Sequence, residues 1–183
     1  KINTFKNCPQ QYKIIYLNKI KKKDESIEAF MGKRVHEVLE WLYSVEDLKN
    51  EYVVFDRLLE KYNEIWNNNL HDDIFIARCK YNKENYNKNT VYKIGIDCLK
   101  NYYSKFSKNG YFSQNVFGTE VKFEIKIDDY KFIGYIDRID ENNDGSIDII
   151  DYKTSKRDKS FYQAKNDLQL AIYYLAAKDL FNN

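Results

Sequence analysis

Cysteine is scarce in this 183-residue sequence: there are three, and they stand far apart at Cys8, Cys79 and Cys98. Cysteines so few and so widely spaced do not make the disulfide framework of a small secreted domain. Long apolar runs are also absent, since no stretch approaches the roughly 20 residues of a membrane-spanning helix, and no signal peptide opens the chain. We therefore expect a cytoplasmic protein without membrane contact.

An excess of one charge is also lacking. The formal net charge of +2 combines 30 basic and 28 acidic residues, so any surface that binds a polyanion must be a local patch. With 43% hydrophobic and 32% charged residues the composition is globular, and the length suits one domain over residues 1–183. The chain begins with Lys1 instead of Met, so we expect it to be a piece of a longer protein.

Apolar residues recur at helical spacing in several stretches. The pattern predicts helices over 26–44, 53–70, 89–106 and 163–181, and a shorter helix from Gln10 with Pro9 in its first turn. One apolar stripe is expected to be buried in the last helix: Leu168, Ile172, Leu175, Ala176 and Leu180. We interpret residues 45–110 as a helical insertion or cap over the core.

Strand patterns occupy the second half of the chain, over 116–127, 131–140 and 146–153. A turn-forming cluster, Glu141–Gly145, separates the last two, which predicts an antiparallel hairpin. On the first strand, Glu120 belongs to a polar face for which solvent exposure and a functional role both remain open.

Ionisable residues interrupt the apolar run of the last predicted strand. Asp151 and Lys153 are two apart and should share a face, while Tyr152 points to the other side. Asp137 lies on the partner strand, where it can come beside Asp151. Two carboxylates and a lysine at one sheet edge favour a divalent cation site suited to phosphodiester hydrolysis.

The same region allows an alternative, a calcium-binding module over residues 140–151. The spacing from Asp140 nearly fits an EF-hand loop, with Gly145 at the sixth position. Against it, the twelfth position is Asp151 where a bidentate Glu is expected, and the flanking patterns are strands where an EF-hand has helices.

His36 and Glu40 are four apart on the first long helix and share a face. The sequence His-Glu-x-x-Glu lacks the second histidine of the zinc-protease motif, so that class is excluded. Local sequence alone gives His36 no defined role.

Together, five features resemble the RecB-like branch of the PD-(D/E)XK nuclease superfamily, and they occur in its order. They are Gly32-x-x-x-His36, Glu120, Gly134-x-Ile136-Asp137-Arg138-Ile139-Asp140, Asp151-Tyr152-Lys153-Thr154 and Gln169-Leu170-x-x-Tyr173. The opening Phe5-x-x-Cys8-Pro9-x-x-Tyr12 is similar to the start of such domains in helicase-nuclease subunits and CRISPR-associated exonucleases.

The resemblance implies an α/β fold, a restriction-endonuclease-like core in which helices flank a mixed sheet. It implies Mg²⁺ or Mn²⁺ held by His36, Asp137, Asp151 and the backbone carbonyl of Tyr152, with Asp137, Asp151 and Lys153 as the catalytic residues. Lys153 would act on the attacking water and on the charge of the transition state. A further set would position the DNA strand or contact its phosphates: Gln169, Tyr173, Lys156, Arg157 and Lys159.

Relatives of this kind often hold an iron–sulfur cluster with the cysteine equivalent to Cys8 and three more near the C-terminus. The chain stops at Asn183 without such a triplet, so we expect the natural protein to continue. Within these residues no cluster can form, because one cysteine cannot replace four. Cys8 is an iron–sulfur ligand only if residues outside this chain supply the others.

The function implied is a metal-dependent deoxyribonuclease, an exonuclease acting on DNA ends or single strands in recombination, repair or CRISPR-type defence. Its partners would be DNA and either a helicase or CRISPR-associated proteins. One alternative is a DNA-binding or assembly domain, without catalysis, of a larger helicase-nuclease. Another is the calcium-binding module at residues 140–151.

Overall fold

The structure is a computed structural model that describes residues 1–20, 24–44, 52–76, 86–155 and 160–181. It confirms the expected α/β class. In chain order the elements are α1 (Ile2–Asn7), α2 (Pro9–Tyr12), a π-helical turn (Lys13–Leu17), β1 (Glu25–Ser26), α3 (Ile27–Ser44), α4 (Phe55–Asn69), β2 (Ile74–Phe75), α5 (Lys88–Phe106), β3 (Val116–Ile127), β4 (Tyr130–Glu141), β5 (Ile147–Ile150), α6 (Phe161–Lys165) and α7 (Leu168–Phe181).

Helix α3 is the centre of the larger hydrophobic core. Ser26 caps its start, with Ser26 Oγ accepting a hydrogen bond from the Ala29 backbone N–H at 3.2 Å. Its buried face packs against α4 and α5. Gly95 lets α5 approach α4, because a Cβ there would stand 2.0 Å from the Tyr62 hydroxyl. The division of the chain into a core and an insertion over 45–110 stays a prediction.

Strands β3, β4 and β5 form an antiparallel sheet in that order. The register sets Val121 opposite Ile136 and Arg138 opposite Ile150. One face of the sheet packs on α7 through a second hydrophobic cluster: Phe123, Ile125, Ile136, Ile139, Tyr173 and Ala176. A separate parallel pair joins β1 to β2. Among the described helices, none is both long and apolar enough to cross a membrane.

Strand β5 ends at Ile150, so the prediction that it reaches Lys153 is wrong. The physical reason lies in the backbone of Tyr152, whose N–H donates to Asp137 Oδ2 at 2.7 Å, outside the strand ladder. Residues 151–155 therefore leave the sheet, and the Asp137 side chain holds the backbone at Tyr152.

The last helix is two helices, which corrects the continuous helix predicted over 163–181. Ser160 and Gln163 form a capping box that starts α6. Asp167 then starts α7, its Oδ1 accepting from the Gln169 backbone N–H at 2.8 Å. Short polar side chains that bond to nearby backbone end one helix and begin the next.

The buried stripe predicted for this helix is largely wrong. Leu168, Leu175 and Leu180 are 37%, 42% and 41% exposed, whereas the buried side chains are Tyr173, Ala176 and Ala177. Helix α7 is apolar on nearly every side, so apolar spacing alone could not select its inner face. The sheet selects it, because alanines allow close approach and Tyr173 reaches the site described below.

Candidate active site

An open cleft of about 520 Å³ lies between α3 and the edge of the sheet. Gly32, His36 and Glu40 line it from α3, and Glu120 and Thr154 line it from the sheet side. A Cβ on Gly32 would stand 3.1 Å from Thr154 Oγ1. Helix α3 therefore packs tightly against the segment after β5 at Gly32.

Asp137 lies next to His36, one of the residues that line this cleft. His36 Nδ1 is 3.5 Å from Asp137 Oδ2, the same oxygen that accepts the hydrogen bond from the Tyr152 backbone N–H. The Asp137 side chain is 13% exposed and that of His36 is 30% exposed. One carboxylate thus joins α3, β4 and the segment after β5, three elements that are far apart in sequence.

A break in strand alternation places Arg138 on the same side of β4 as Asp137. Ile136 and Ile139 both face the α7 cluster, while Asp137 contacts His36 and Arg138 covers the Tyr43 ring, both on α3. In a regular strand, Asp137 and Arg138 would point to opposite faces. The irregularity coincides with Glu120 on β3, whose φ of 45° is in the left-handed region and which lies across from Asp137.

Asp151 is held from two sides. Lys153 Nζ lies 2.5 Å from Asp151 Oδ2, and Gln169 Nε2 donates to Asp151 Oδ1 at 3.1 Å. The same Gln169 nitrogen donates to the Tyr173 hydroxyl at 2.7 Å. The Lys153 side chain is 44% exposed and that of Asp151 is 9% exposed, so the lysine is much more accessible to solvent than the carboxylate.

The structure therefore brings together most of the predicted site residues: His36, Asp137, Asp151, Tyr152, Lys153, Gln169 and Tyr173. Their individual roles stay predictions. Lys156, Arg157 and Lys159, predicted to contact phosphates, lie outside the described residues, as does Cys79.

Negative charge accumulates in the cleft. Burial raises the pKa of Asp137 above its ordinary value, and the Asp151 carboxylate adds to the rise. The Tyr152 N–H, the His36 ring and the Lys153 ammonium oppose that rise without cancelling it. Burial also raises the pKa of Glu120, and the Asp137 and Glu40 carboxylates raise it further. A bound cation would relieve this repulsion.

The raised pKa of Asp137 predicts a pH dependence of stability. Native Asp137 holds its proton more tightly than the unfolded chain does, so the free energy of unfolding contributed by this group falls as pH rises from the ordinary Asp range through the raised pKa. Asp137→Asn should remove that fall, and the variant should gain on the parent as pH rises. Urea unfolding in EDTA at a series of pH values measures this, and a difference that does not change with pH would contradict it.

A buried polar network next to the site was not predicted from the sequence. Arg138, 2% exposed, donates from Nη2 to Asp140 Oδ2 at 2.8 Å and from Nη1 to the hydroxyl oxygens of Tyr102 at 2.6 Å and Tyr152 at 3.3 Å. Its guanidinium lies 4.1 Å from the centre of the Tyr43 ring. The sequence signal was available, since a charged Asp-Arg-Ile-Asp run inside an apolar strand requires buried partners.

The network fixes the ring of Tyr152 and, through it, one wall of the site. Tyr152 is 8% exposed, and the His36 ring meets it edge to face at 5.7 Å. The fixed Tyr152 ring therefore anchors the segment that carries Asp151 and Lys153, whose side chains contact one another.

The geometry does not support the calcium loop alternative. Asp140, its first position, is buried in the ion pair with Arg138. Asp144 is occupied in the turn, where its Oδ1 accepts from the Ser146 backbone N–H and hydroxyl at 2.9 and 2.7 Å. The flanking elements are β4 and β5, whereas an EF-hand loop joins two helices.

Cys8 is exposed and caps α2, with its Sγ accepting from the Gln11 backbone N–H at 3.4 Å. In the described part of the chain the other cysteine is Cys98, also a free thiol. The role of Cys8 as an iron–sulfur ligand stays a prediction.

A sequence model of the PD-(D/E)XK nuclease superfamily matches residues 1–183, the whole of the chain. The chain belongs to this superfamily. The restriction-endonuclease-like α/β fold expected from the resemblance is thereby confirmed, and the chain is a nuclease-superfamily domain. Its place in the RecB-like branch stays a prediction. No curated protein and no solved structure matches the chain at a significant level.

Nucleases of this superfamily typically use a divalent metal ion, and the donors present here suit one. In the described part of the chain, no three acidic, histidine or cysteine side chains already form a coordination cluster. The donor chemistry nonetheless fits Mg²⁺ or Mn²⁺, since the His36 imidazole contacts the Asp137 carboxylate and the Asp151 carboxylate is near enough to raise the pKa of Asp137. His36, Asp137, Asp151 and the carbonyl of Tyr152 would hold the ion.

Proposed function

We propose that this domain is a metal-dependent deoxyribonuclease that degrades DNA from ends or single strands. The observation that supports it best is a set of contacts between four separate segments. His36 contacts Asp137, Asp137 holds the backbone of Tyr152, and the adjacent Asp151 contacts Lys153 and Gln169. A bound divalent ion would supply Lewis acidity against the charge that develops at phosphorus.

In this proposal the chain's own residues divide the remaining work. Asp137 and Asp151 supply the negative charge that selects a cation. Lys153 projects its ammonium group beside Asp151, where it can orient the attacking water and stabilise the anionic transition state. Gln169 holds Asp151 in position and, with Tyr173, places the substrate strand. The N–H of Tyr152 fixes the carboxylate of Asp137.

We expect the purified chain to cut DNA in Mn²⁺ or Mg²⁺ and to be inactive in EDTA. Ca²⁺ should bind and support little cleavage, because it takes more ligands in a looser geometry. A fluorescent DNA degradation assay with each ion measures this. Full activity in EDTA would exclude the metal mechanism.

The preference for ends has its own test. Linear single-stranded DNA should be degraded while a covalently closed circle of the same sequence is spared. Equal cutting of both would leave a nuclease but exclude the exonuclease. The partners, helicase or CRISPR-associated, and the phosphate contacts of Lys156 and Arg157 stay predictions.

A further inference from the structure

The far half of the β3–β4 hairpin has one face that nothing described covers. We call it the outer hairpin face and define it by Lys122, Glu124, Lys126, Lys131, Ile133 and Tyr135. Ile133 is 58% and Tyr135 52% exposed, although both lie in the middle of a twelve-residue strand. The register sets Lys122 opposite Tyr135, Glu124 opposite Ile133 and Lys126 opposite Lys131.

The opposite face of the same hairpin is anchored. Phe123 packs edge to face against Tyr173 of α7 at 5.8 Å, and Gly134 makes room for the Phe123 ring, since a Cβ there would stand 2.6 Å from it. The core is thus satisfied on the α7 side. The outward tyrosine and isoleucine therefore contribute little to packing, and the hairpin presents them on a rigid support.

The charge of the outer hairpin face is positive. Glu124 and Lys131 form an ion pair at 2.5 Å and offset one another. Lys122 and Lys126 form no ion pair with any described residue, which leaves two cations beside the exposed Tyr135 and Ile133. Proteins bind single-stranded nucleic acids with surfaces of this kind, on which cations contact the phosphates and aromatic side chains stack on the bases.

The outer hairpin face leads into the cleft. Ile133, Tyr135 and Asp137 alternate along β4 and so share one side, with Tyr135 about 7 Å and Ile133 about 14 Å from Asp137 at the usual rise of a strand. Asp137 is the residue that contacts His36. A strand of DNA lying on this face would reach the candidate active site without a turn.

We propose that the outer hairpin face binds the single-stranded DNA substrate and guides it to Asp137, with a base stacked on Tyr135 and phosphates held by Lys122 and Lys126. This deepens the proposed nuclease function and rests on it. The chemistry favours single strands over duplex, because the bases of an intact duplex are already stacked on one another and cannot stack on a side chain.

Binding of labelled oligothymidylate, followed by fluorescence anisotropy in EDTA, tests the proposal without hydrolysis. Tyr135→Ala should weaken binding by about 5- to 150-fold, the loss expected for one base–aromatic stack. Tyr135→Phe keeps the ring and should bind like the parent. Lys122→Ala should reduce the dependence of log K on log salt by about 0.7, the contribution of one phosphate contact to a single strand.

Two matched controls lie outside the β3–β4 hairpin. Tyr111→Ala removes a tyrosine of similar exposure, 49%, from the turn after α5, and Lys100→Ala removes an exposed cation from α5. Both should bind like the parent. Circular dichroism checks that each variant is folded. If Tyr135→Ala is not folded, Tyr135→Leu repeats the test with a larger apolar side chain that has no aromatic ring.

The outcomes separate this proposal from the nuclease itself. Suppose that the parent cuts DNA and that both Tyr135→Ala and Tyr135→Leu bind and cut DNA like the parent. The outer hairpin face would then not be the DNA-binding surface, and the proposed nuclease activity would be retained. Equal loss for duplex and single strands would overturn the stacking contact. A change from dimer to monomer on substituting Tyr135 would show that a second copy occupies the face. If DNA binding depends on Tyr135 but the chain never cuts DNA, the outer hairpin face is a DNA-binding surface and the proposed nuclease activity is wrong.

Discussion

Replacing Asp151 with asparagine should abolish Mn²⁺ binding and DNA cleavage, whereas Lys153→Ala should keep the ion and lose turnover. The amide can still accept the hydrogen bond from Gln169, so the fold is preserved, but it carries no charge for a cation or for Lys153. Cleavage should fall on the order of 10³-fold or more, because the ion supplies several kcal/mol of transition-state stabilisation. For Lys153→Ala the fall should be about 10²–10³-fold, the usual value for one electrostatic group.

Calorimetric titration with Mn²⁺ and a cleavage assay separate the two variants. Asp148→Asn is the matched control, since it makes the same change on an exposed carboxylate of β5 opposite Asp140 and should leave both measurements unchanged. Should Asp151→Asn and Lys153→Ala both bind Mn²⁺ and cut like the parent, the site has been misplaced. Should both lose the ion, Lys153 would be holding Asp151 in its metal-binding position.

Arg138→Ala should destabilise the fold by about 3–5 kcal/mol, the usual effect of removing one partner from a buried ion pair. Asp140 would be left buried without its cation, and the hydroxyls of Tyr102 and Tyr152 would lose their donor. Burial already raises the pKa of Asp140 despite Arg138, so the loss of Arg138 should favour its protonated form further. The melting temperature should fall by roughly 6–20 °C for a chain of this size.

Lys131→Ala provides the comparison. It breaks the pair between Lys131, also on β4, and Glu124 on β3, but those side chains are 58% and 53% exposed, so the cost should stay below about 1 kcal/mol. Urea unfolding of both variants measures the difference. A loss of similar size in the two would mean that the Arg138 network contributes no more than a surface ion pair.

Sequence alone located most elements, because their patterns were strong and local. Apolar spacing predicted α3 to within a residue, and the strand pattern predicted β3 with the bounds observed. Asp151 and Lys153 were predicted to share one face of a strand, and their side chains do contact one another, although the strand ends at Ile150. Local periodicity carries such information without reference to the rest of the chain.

His36 shows what local pattern could not decide. Nothing around it requires a partner, yet the fold sets it 3.5 Å from an oxygen of Asp137, a hundred residues further along the chain. The resemblance predicted that meeting, and its geometry depends on Gly32 letting α3 approach Thr154. Helix α7 is similar: its inner face was chosen by the sheet it packs on, because apolar residues surround it.

The residue types thus determined the chemistry available to the site, and tertiary packing determined how these residues come together. The sequence by itself determined which groups are present: two carboxylates, a lysine and an imidazole, in strands and a helix with recognisable patterns. The tertiary structure alone decided that Asp137 and Arg138 turn to the same side, at the position where Glu120 takes a left-handed conformation. Alternation is a local rule, and a local break in it is visible only once both strands are paired and each face has its partner.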